Sequence, residues 1–136
     1  MFELIHEFAV LGTACFMLAL ATIWYSPMLF GKTWMRETKI TPEMLEKAQG
    51  DNWKHMFLTF VSYVIMLGLL ALMVVYAPFL GLTPLFASGI LSIFVVAGTV
   101  PNTLFEGRSR TYFLIQAGFH VLFIVLGTLM LQYWPW

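Results

Sequence analysis

Four apolar stretches, each long enough to cross a lipid bilayer as a helix, dominate this sequence. They cover residues 4–25, 57–77, 82–103 and 111–133. A bilayer core about 30 Å thick requires about 20 apolar residues in a helix. Only 10% of the 136 residues are charged, against about 25% in a typical soluble domain. The sequence therefore predicts an all-α membrane protein with four transmembrane helices in one domain, residues 1–136.

The third stretch is the least regular of the four, because glycine and proline fall inside or beside it. Pro84 and Gly89 lie near its start, and Gly98 and Pro101 lie near its end. Transmembrane helices tolerate both residue types better than soluble helices do. We therefore expect residues 82–103 to cross the membrane as well.

The only long polar segment, residues 26–56, connects the first two predicted spans. Within it, Thr41, Pro42 and Glu43 follow the pattern of a helix start, with an N-cap, a proline at the first helical position and an acid in the first turn. We expect a cytoplasmic loop that carries a short interfacial helix near residues 42–49.

All basic side chains lie in the first and third connections, which share one side of a four-span protein. Cytoplasmic loops are enriched in Lys and Arg, so this side is predicted to be cytoplasmic. Both termini and the 77–84 turn then lie on the non-cytoplasmic side of the cell inner (plasma) membrane. The basic residues are Lys32, Arg36, Lys39, Lys47, Lys54, Arg108 and Arg110.

Composition excludes several function classes. The formal net charge is zero, whereas nucleic-acid binding calls for a basic excess. The single cysteine, Cys15, cannot form a disulfide within the chain, and this argues against a thiol oxidoreductase. No second ligand stands at helical spacing from His120, so no metal site is predicted. We predict no cofactor and no catalytic residue set.

Three polar side chains interrupt the fourth span. Tyr112, Gln116 and His120 follow one another at intervals of four and share one face of a helix. Polar side chains at membrane depth usually face the interior of the bundle. One interpretation is that Gln116 and His120 hold neighbouring helices together by hydrogen bonds, and the other is a proton or ligand site.

Charged and aromatic residues gather where the first and third spans end. Lys32 and Arg108 follow these spans, and Trp24 and Tyr25 close the first of them. Basic groups near an anionic leaflet attract its lipids. One hypothesis is a shared site for an anionic headgroup or ligand, and the alternative is that these residues only orient the chain. Glu106 is placed to pair with either nearby arginine.

A stripe of small residues runs along the first span. Gly12, Cys15, Ala19, Thr22 and Ser26 recur at spacings of three and four. Small residues let membrane helices approach closely, so the stripe predicts a packing seam, with a substrate groove as the alternative. Because four short helices enclose little volume, a pathway forms more easily between chains, and we expect a homo-oligomer.

The ends of the first and third spans carry similar motifs. Leu29-Phe30-Gly31-Lys32 and Leu104-Phe105-Glu106-Gly107-Arg108 each follow a proline closely. One interpretation is a duplication, in which two helical hairpins are related by an axis along the membrane normal. The other is that aromatic, glycine and basic residues recur at any cytoplasmic interface.

The segment from Trp24 to Met35, which reads WYSPMLFGKTWM, resembles the hallmark of the bacterial domain-of-unknown-function 1761 family of small integral membrane proteins. The later segment from Leu104 to Ser109, with the apolar residues that follow it, is similar to that family's C-terminal half. The resemblance implies a role for the first segment but no assigned activity. From all these patterns we derive candidate ligand-binding residues: Trp24, Tyr25, Lys32, Trp34, Glu106, Arg108, Gln116 and His120.

Two functions of different class fit the sequence. The first is a non-enzymatic membrane protein, either a small transporter-like assembly or one that interacts with membrane lipids. The second is a membrane enzyme that acts on a lipid or quinone at the cytoplasmic interface, with Glu106 or His120 as acid or base. No nucleophile stands at a recognisable spacing from a base, which argues against the second function.

Overall fold

The chain folds into four long helices and two short ones in a computed structural model that describes residues 7–48, 50 and 52–135. The described residues contain no strand. The long helices are sufficiently apolar to cross a membrane, so the predicted four-span, all-α fold is confirmed. The helices are α1 Glu7–Trp24, α2 Gly31–Thr38, α3 Pro42–Ala48, α4 Asn52–Tyr76, α5 Pro84–Phe105 and α6 Arg110–Gln132, with a 3₁₀ turn at Ala77–Leu80 between α4 and α5.

The polar connection between α1 and α4 holds more helix than expected. Helix α3 begins where the capping pattern placed it, and the backbone N–H of Met44 donates to the Thr41 hydroxyl at 3.3 Å. Helix α2, by contrast, lies in a segment we expected to be irregular. Helix α4 begins at Asn52, five residues before the apolar run, because the helix continues from the bilayer core through the polar residues beside it.

Helix α6 is the centre of the bundle, since it packs against α1, α4 and α5. Helices α1 and α4 also pack on one another, whereas α5 contacts α6 far more than α4. A glycine sets the approach of α4 to α6. A Cβ atom on Gly127 would lie 3.0 Å from Leu67 Cδ2, so only a residue without a side chain fits comfortably there.

The small-residue stripe of α1 does not form the seam between α1 and its own bundle. Cys15, Ala19 and Thr22 are exposed, and the buried face of α1 lies elsewhere. Its members are Ala9, Val10, Thr13, Ala14 and Met17. A seam between two copies of the chain stays a prediction.

The two similar motifs at the span ends form different turns. Gly31 is buried, and a Cβ there would lie 2.6 Å from the Ser26 carbonyl carbon. Gly107 is exposed, has a φ of 64° and has open space around it. The shared sequence pattern therefore serves two distinct backbone geometries, and a common origin of the two hairpins stays a prediction.

Candidate functional site

The hallmark segment folds into a tight reversal that returns the chain to α6. After α1 ends, the N–H groups of Phe30 and Gly31 donate to the carbonyls of Trp24 and Ser26, at 3.1 and 2.9 Å. The close approach of the Ser26 backbone explains the glycine at position 31, because any Cβ there overlaps main-chain atoms. The reversal lays α2 against the first turns of α6.

The aromatic residues of this segment fasten the reversal to α6. Trp24 donates its indole N–H to the Ile115 carbonyl at 3.3 Å. A Cβ on Gly118 would lie 3.4 Å from the Trp24 ring, which is an ordinary van der Waals distance, so the indole packs closely beside α6. Tyr25 packs edge-on against Trp34, with ring centroids 5.6 Å apart. The predicted residues Trp24, Tyr25 and Trp34 therefore lie together on one side of α6.

Gln116 is the polar centre of this contact. The Tyr25 hydroxyl donates to Gln116 Oε1, and Gln116 Nε2 donates to the Tyr112 hydroxyl at 3.2 Å. His120 Nδ1 lies 2.7 Å from the Gln116 backbone carbonyl one turn earlier. Two tyrosines thus fix the orientation of the amide, and the Tyr25 bond joins the end of α1 to α6. Gln116 therefore makes a bond between helices of the kind that one interpretation describes, while His120 bonds within α6, and a proton or ligand site stays a prediction.

The same face of α6 also borders a polar cavity of about 200 Å³ between α5 and α6. This volume exceeds that of a few waters, at about 30 Å³ each in the liquid, and is below the 300–1,000 Å³ typical of drug-sized ligands. Three of the candidate ligand-binding residues line this cavity: Gln116 and His120 on α6, and Glu106 at the end of α5. The lining residues are Thr99, Asn102, Thr103, Glu106, Tyr112, Phe113, Gln116 and His120.

Sequence reasoning missed the α5 side of this cavity. Thr99, Asn102, Thr103 and Glu106 follow the spacing i, i+3, i+4 and i+7, which places them on one helical face. That pattern was readable in the sequence as a polar stripe in an otherwise apolar helix. The glycines and prolines of the third span bear on whether the helix continues, whereas the polar residues beside and after them mark this face.

An apolar hollow of about 240 Å³ lies deeper in the bundle, between α4, α5 and α6. Val95 of α5 is one helical turn below Thr99, and Ile124 of α6 is one turn beyond His120. The polar cavity and the hollow are therefore aligned, with polar side chains near the loop end and apolar ones towards the bilayer centre. The hollow is lined by Met66, Leu69, Leu70, Leu91, Val95 and Ile124. We call the cavity and the hollow together the α5–α6 groove.

The connection between α5 and α6 orients the charged rim of the groove. Gly107 adopts the left-handed conformation, and the Arg108 N–H donates to the Thr103 carbonyl at 3.0 Å, which is the Schellman ending of a helix. Ser109 then caps α6 by accepting from the Tyr112 N–H at 3.1 Å. Two short motifs therefore fix where Glu106 and Arg108 stand.

Arg108 is held on two sides. Its Nε lies 3.4 Å from Glu106 Oε2, and its guanidinium carbon lies 5.1 Å from the centre of the Tyr112 ring. Arg108 and Arg110 both border a separate, mostly apolar hollow of about 160 Å³ beside the groove. Of the two pairings open to Glu106, the structure has the one with Arg108.

Lys32 is exposed in the first turn of α2. Trp24 contacts Ile115 and Tyr25 contacts Gln116, and a site for an anionic headgroup that these residues share with Arg108 stays a prediction. Within the described ranges, no group of three His, Cys, Asp or Glu side chains stands close enough to hold a metal ion.

Comparison with known proteins gives a family but no activity. No curated protein and no solved structure matches the chain. The family described as a protein of unknown function, DUF1761, matches residues 8–132, which include the four long helices apart from Glu7, and all residues of the groove. The match therefore covers nearly the whole chain, and the protein belongs to the DUF1761 family.

Proposed function

We propose that this protein is a non-enzymatic membrane protein that binds a membrane lipid or related amphiphile in the α5–α6 groove. One observation carries the proposal: the polar cavity between α5 and α6 is followed, one helical turn deeper on both helices, by an apolar hollow that α4 also borders. A lipid has the same order of parts, with a polar head at the interface and an apolar chain towards the bilayer centre. A groove with this polarity is complementary to such a molecule.

The packing of the bundle favours binding over transport by a single chain. Met17, Leu67 and Phe123 fill the interior between α1, α4 and α6, and each is less than 2% exposed. A polar solute has no room to pass through such a core. The groove lies instead at the side of α6, where α5 and α4 make few contacts with one another, and a lipid can enter it from the bilayer.

The proposed orientation places the loop end of the bundle in the cytoplasm of a plasma-membrane protein. The segregation of all seven basic residues into two connections on one side supports this orientation. The polar cavity is then at the depth of the cytoplasmic headgroups, and both termini are on the other side.

An enzyme acting on a lipid or quinone is the second candidate, because Glu106 and His120 line the same cavity. The carboxylate of Glu106 already faces Arg108, with Oε2 3.4 Å from the Arg108 Nε. The mass of the bound lipid distinguishes the two functions. A bound lipid that leaves with unchanged mass indicates binding, whereas a lipid that returns with a new mass indicates catalysis.

Native mass spectrometry of the protein extracted with its own lipids tests the proposal. The wild type is expected to retain an amphiphile of one or a few discrete masses. A Val95→Phe variant fills the hollow from α5, and a Leu69→Trp variant fills it from the surface of α4, where Leu69 is 64% exposed. Both variants should lose the amphiphile, while Val61→Phe, at an exposed position of α4 outside the groove, should keep it. Equal retention in all four proteins would contradict the proposal.

A further inference from the structure

We infer that the polar cavity of the groove selects an uncharged head that bears hydroxyl groups, as in a single-chain acylglycerol. This inference rests on the proposed function and goes further, since it names the chemistry of the ligand's head. It follows from which lining side chains already donate their hydrogen atoms within the protein, and from the charged groups Glu106 and Arg108 beside the cavity.

Several lining groups can only accept hydrogen bonds from a ligand. The hydroxyls of Thr99 and Thr103 donate to carbonyls of their own helix, at 2.7 Å to Val96 and 2.9 Å to Thr99, so each oxygen keeps only lone pairs. His120 Nδ1 faces the Gln116 carbonyl at 2.7 Å, and we assign the proton of the neutral ring to this nitrogen. Nε2 of the ring is then an acceptor too.

Other lining groups keep hydrogens that they can donate to a ligand. Gln116 uses one Nε2 hydrogen on Tyr112 and has one left, while Tyr112 accepts that bond and keeps its own hydroxyl hydrogen. Asn102 offers both a donor and an acceptor. A ligand head that fits must therefore supply hydrogens to the threonine and histidine acceptors and also accept bonds, and a hydroxyl group does both.

The charges beside the cavity exclude an anionic head. The charged group that lines the cavity is the Glu106 carboxylate. Arg108 pairs with that carboxylate and faces the neighbouring hollow. A phosphate or carboxylate head would stand next to Glu106 without a cation of its own, which is unfavourable. An ammonium head would have to compete for the Glu106 carboxylate with the Arg108 guanidinium, which already lies 3.4 Å from it. The complementary head is neutral.

The hollow below admits the upper part of one chain. Between Thr99 and Leu91 the helix rises about 12 Å, and along this length the lining changes from hydroxyls to aliphatic side chains. The expected ligand is thus a neutral polyol head on a single long hydrocarbon chain.

Four amphiphiles that share one oleoyl or oleyl chain separate head recognition from chain binding. The purified protein in phosphatidylcholine nanodiscs is titrated with 1-oleoylglycerol, oleate, oleylamine and methyl oleate, and occupancy is followed by native mass spectrometry. The inference expects 1-oleoylglycerol to bind at least roughly tenfold more tightly than the other three, as two net hydrogen bonds provide.

Removal of the two acceptors gives the matched test. Thr99→Val/Thr103→Val keeps the side-chain shape and should weaken 1-oleoylglycerol binding roughly tenfold, to the level of methyl oleate. Thr22→Val/Thr59→Val is the control, because both hydroxyls likewise donate to their own helix, at 2.9 and 2.7 Å, but lie outside the groove. The control should bind as the wild type does.

The outcomes distinguish this inference from the function on which it rests. A preference for oleate or oleylamine overturns the neutral-head inference and leaves lipid binding in place. Equal binding of all four amphiphiles has the same meaning if Leu69→Trp abolishes that binding. Binding of every amphiphile unchanged by Leu69→Trp and Val95→Phe overturns the proposed function itself. Loss of selectivity in the Thr22→Val/Thr59→Val control also overturns the inference, because the cavity hydroxyls are then not the cause.

Discussion

Replacement of Tyr25 by Phe tests whether the hallmark segment is fastened to α6 through Gln116. The change removes the hydroxyl that donates to Gln116 Oε1 and keeps the ring. The ring contacts of Tyr25 with Trp34 and Phe119, at centroid distances of 5.6 and 5.7 Å, do not require the hydroxyl. The hydrogen bond is therefore isolated from the packing around it.

The expected loss of stability is modest because side-chain hydrogen bonds between membrane helices contribute about 0.6 kcal/mol on average and at most about 1.7 kcal/mol. Both partners are only half-buried, and Gln116 keeps its bond to Tyr112. We expect Tyr25→Phe to lower the free energy of unfolding by about 0.6 to 1.7 kcal/mol.

A double-mutant cycle with Gln116→Met measures this interaction directly. Unfolding of the four proteins in mixed dodecylmaltoside and SDS micelles gives the coupling energy, and Tyr76→Phe is the control, since no hydrogen bond of its hydroxyl is found in the described part of the chain. The control should change stability by less than about 0.5 kcal/mol. A coupling energy below about 0.3 kcal/mol, the level at which independent sites add, would refute the reasoning.

Three further predictions concern the turn, the topology and the assembly. Gly107→Ala should destabilise the protein by about 1 to 2 kcal/mol in the same unfolding assay, because φ is 64° there. Its control, Gly98→Ala, lies within α5 in open space and should be neutral or stabilising by up to about 1 kcal/mol. Equal effects of the two substitutions would contradict the turn geometry. A C-terminal alkaline phosphatase fusion should be active and a C-terminal fluorescent protein dark if the loop end is cytoplasmic, and the reverse pattern rejects that orientation. Mild oxidation of membranes should link two chains through exposed Cys15 if the small-residue stripe pairs them, whereas persistence of monomers at every oxidant concentration would oppose such pairing.

The helices were predictable from sequence because a bilayer demands long apolar runs, and those runs are visible without any knowledge of packing. The ends of the helices were less predictable at the membrane–water interface. The predicted second span begins at residue 57, after Lys54 and His55, yet α4 includes both residues. A helix continues into the polar interface because its backbone hydrogen bonds are still favourable there.

The candidate site was only partly predictable. Tyr112, Gln116 and His120 were recognised from their spacing on α6, but the partner that fixes Gln116 is Tyr25, 91 residues away. Sequence order gives no information on which pairs of helices meet. Lys32 lies in the first turn of α2 and Arg108 in the α5–α6 turn, and sequence order alone does not give the distance between these two elements.

The central claim is that a lipid chain occupies the α5–α6 groove, and photocrosslinking in native membranes tests it most directly. A diazirine analogue of leucine replaces Leu91, which lines the hollow, or Leu58, which is 61% exposed on α4 and lies outside the groove. After irradiation, the intact mass of each protein is measured. We expect one or two discrete lipid adducts at position 91 and the full mixture of bulk membrane lipids at position 58. The same bulk mixture at both positions, or no lipid adduct at position 91, would contradict the claim.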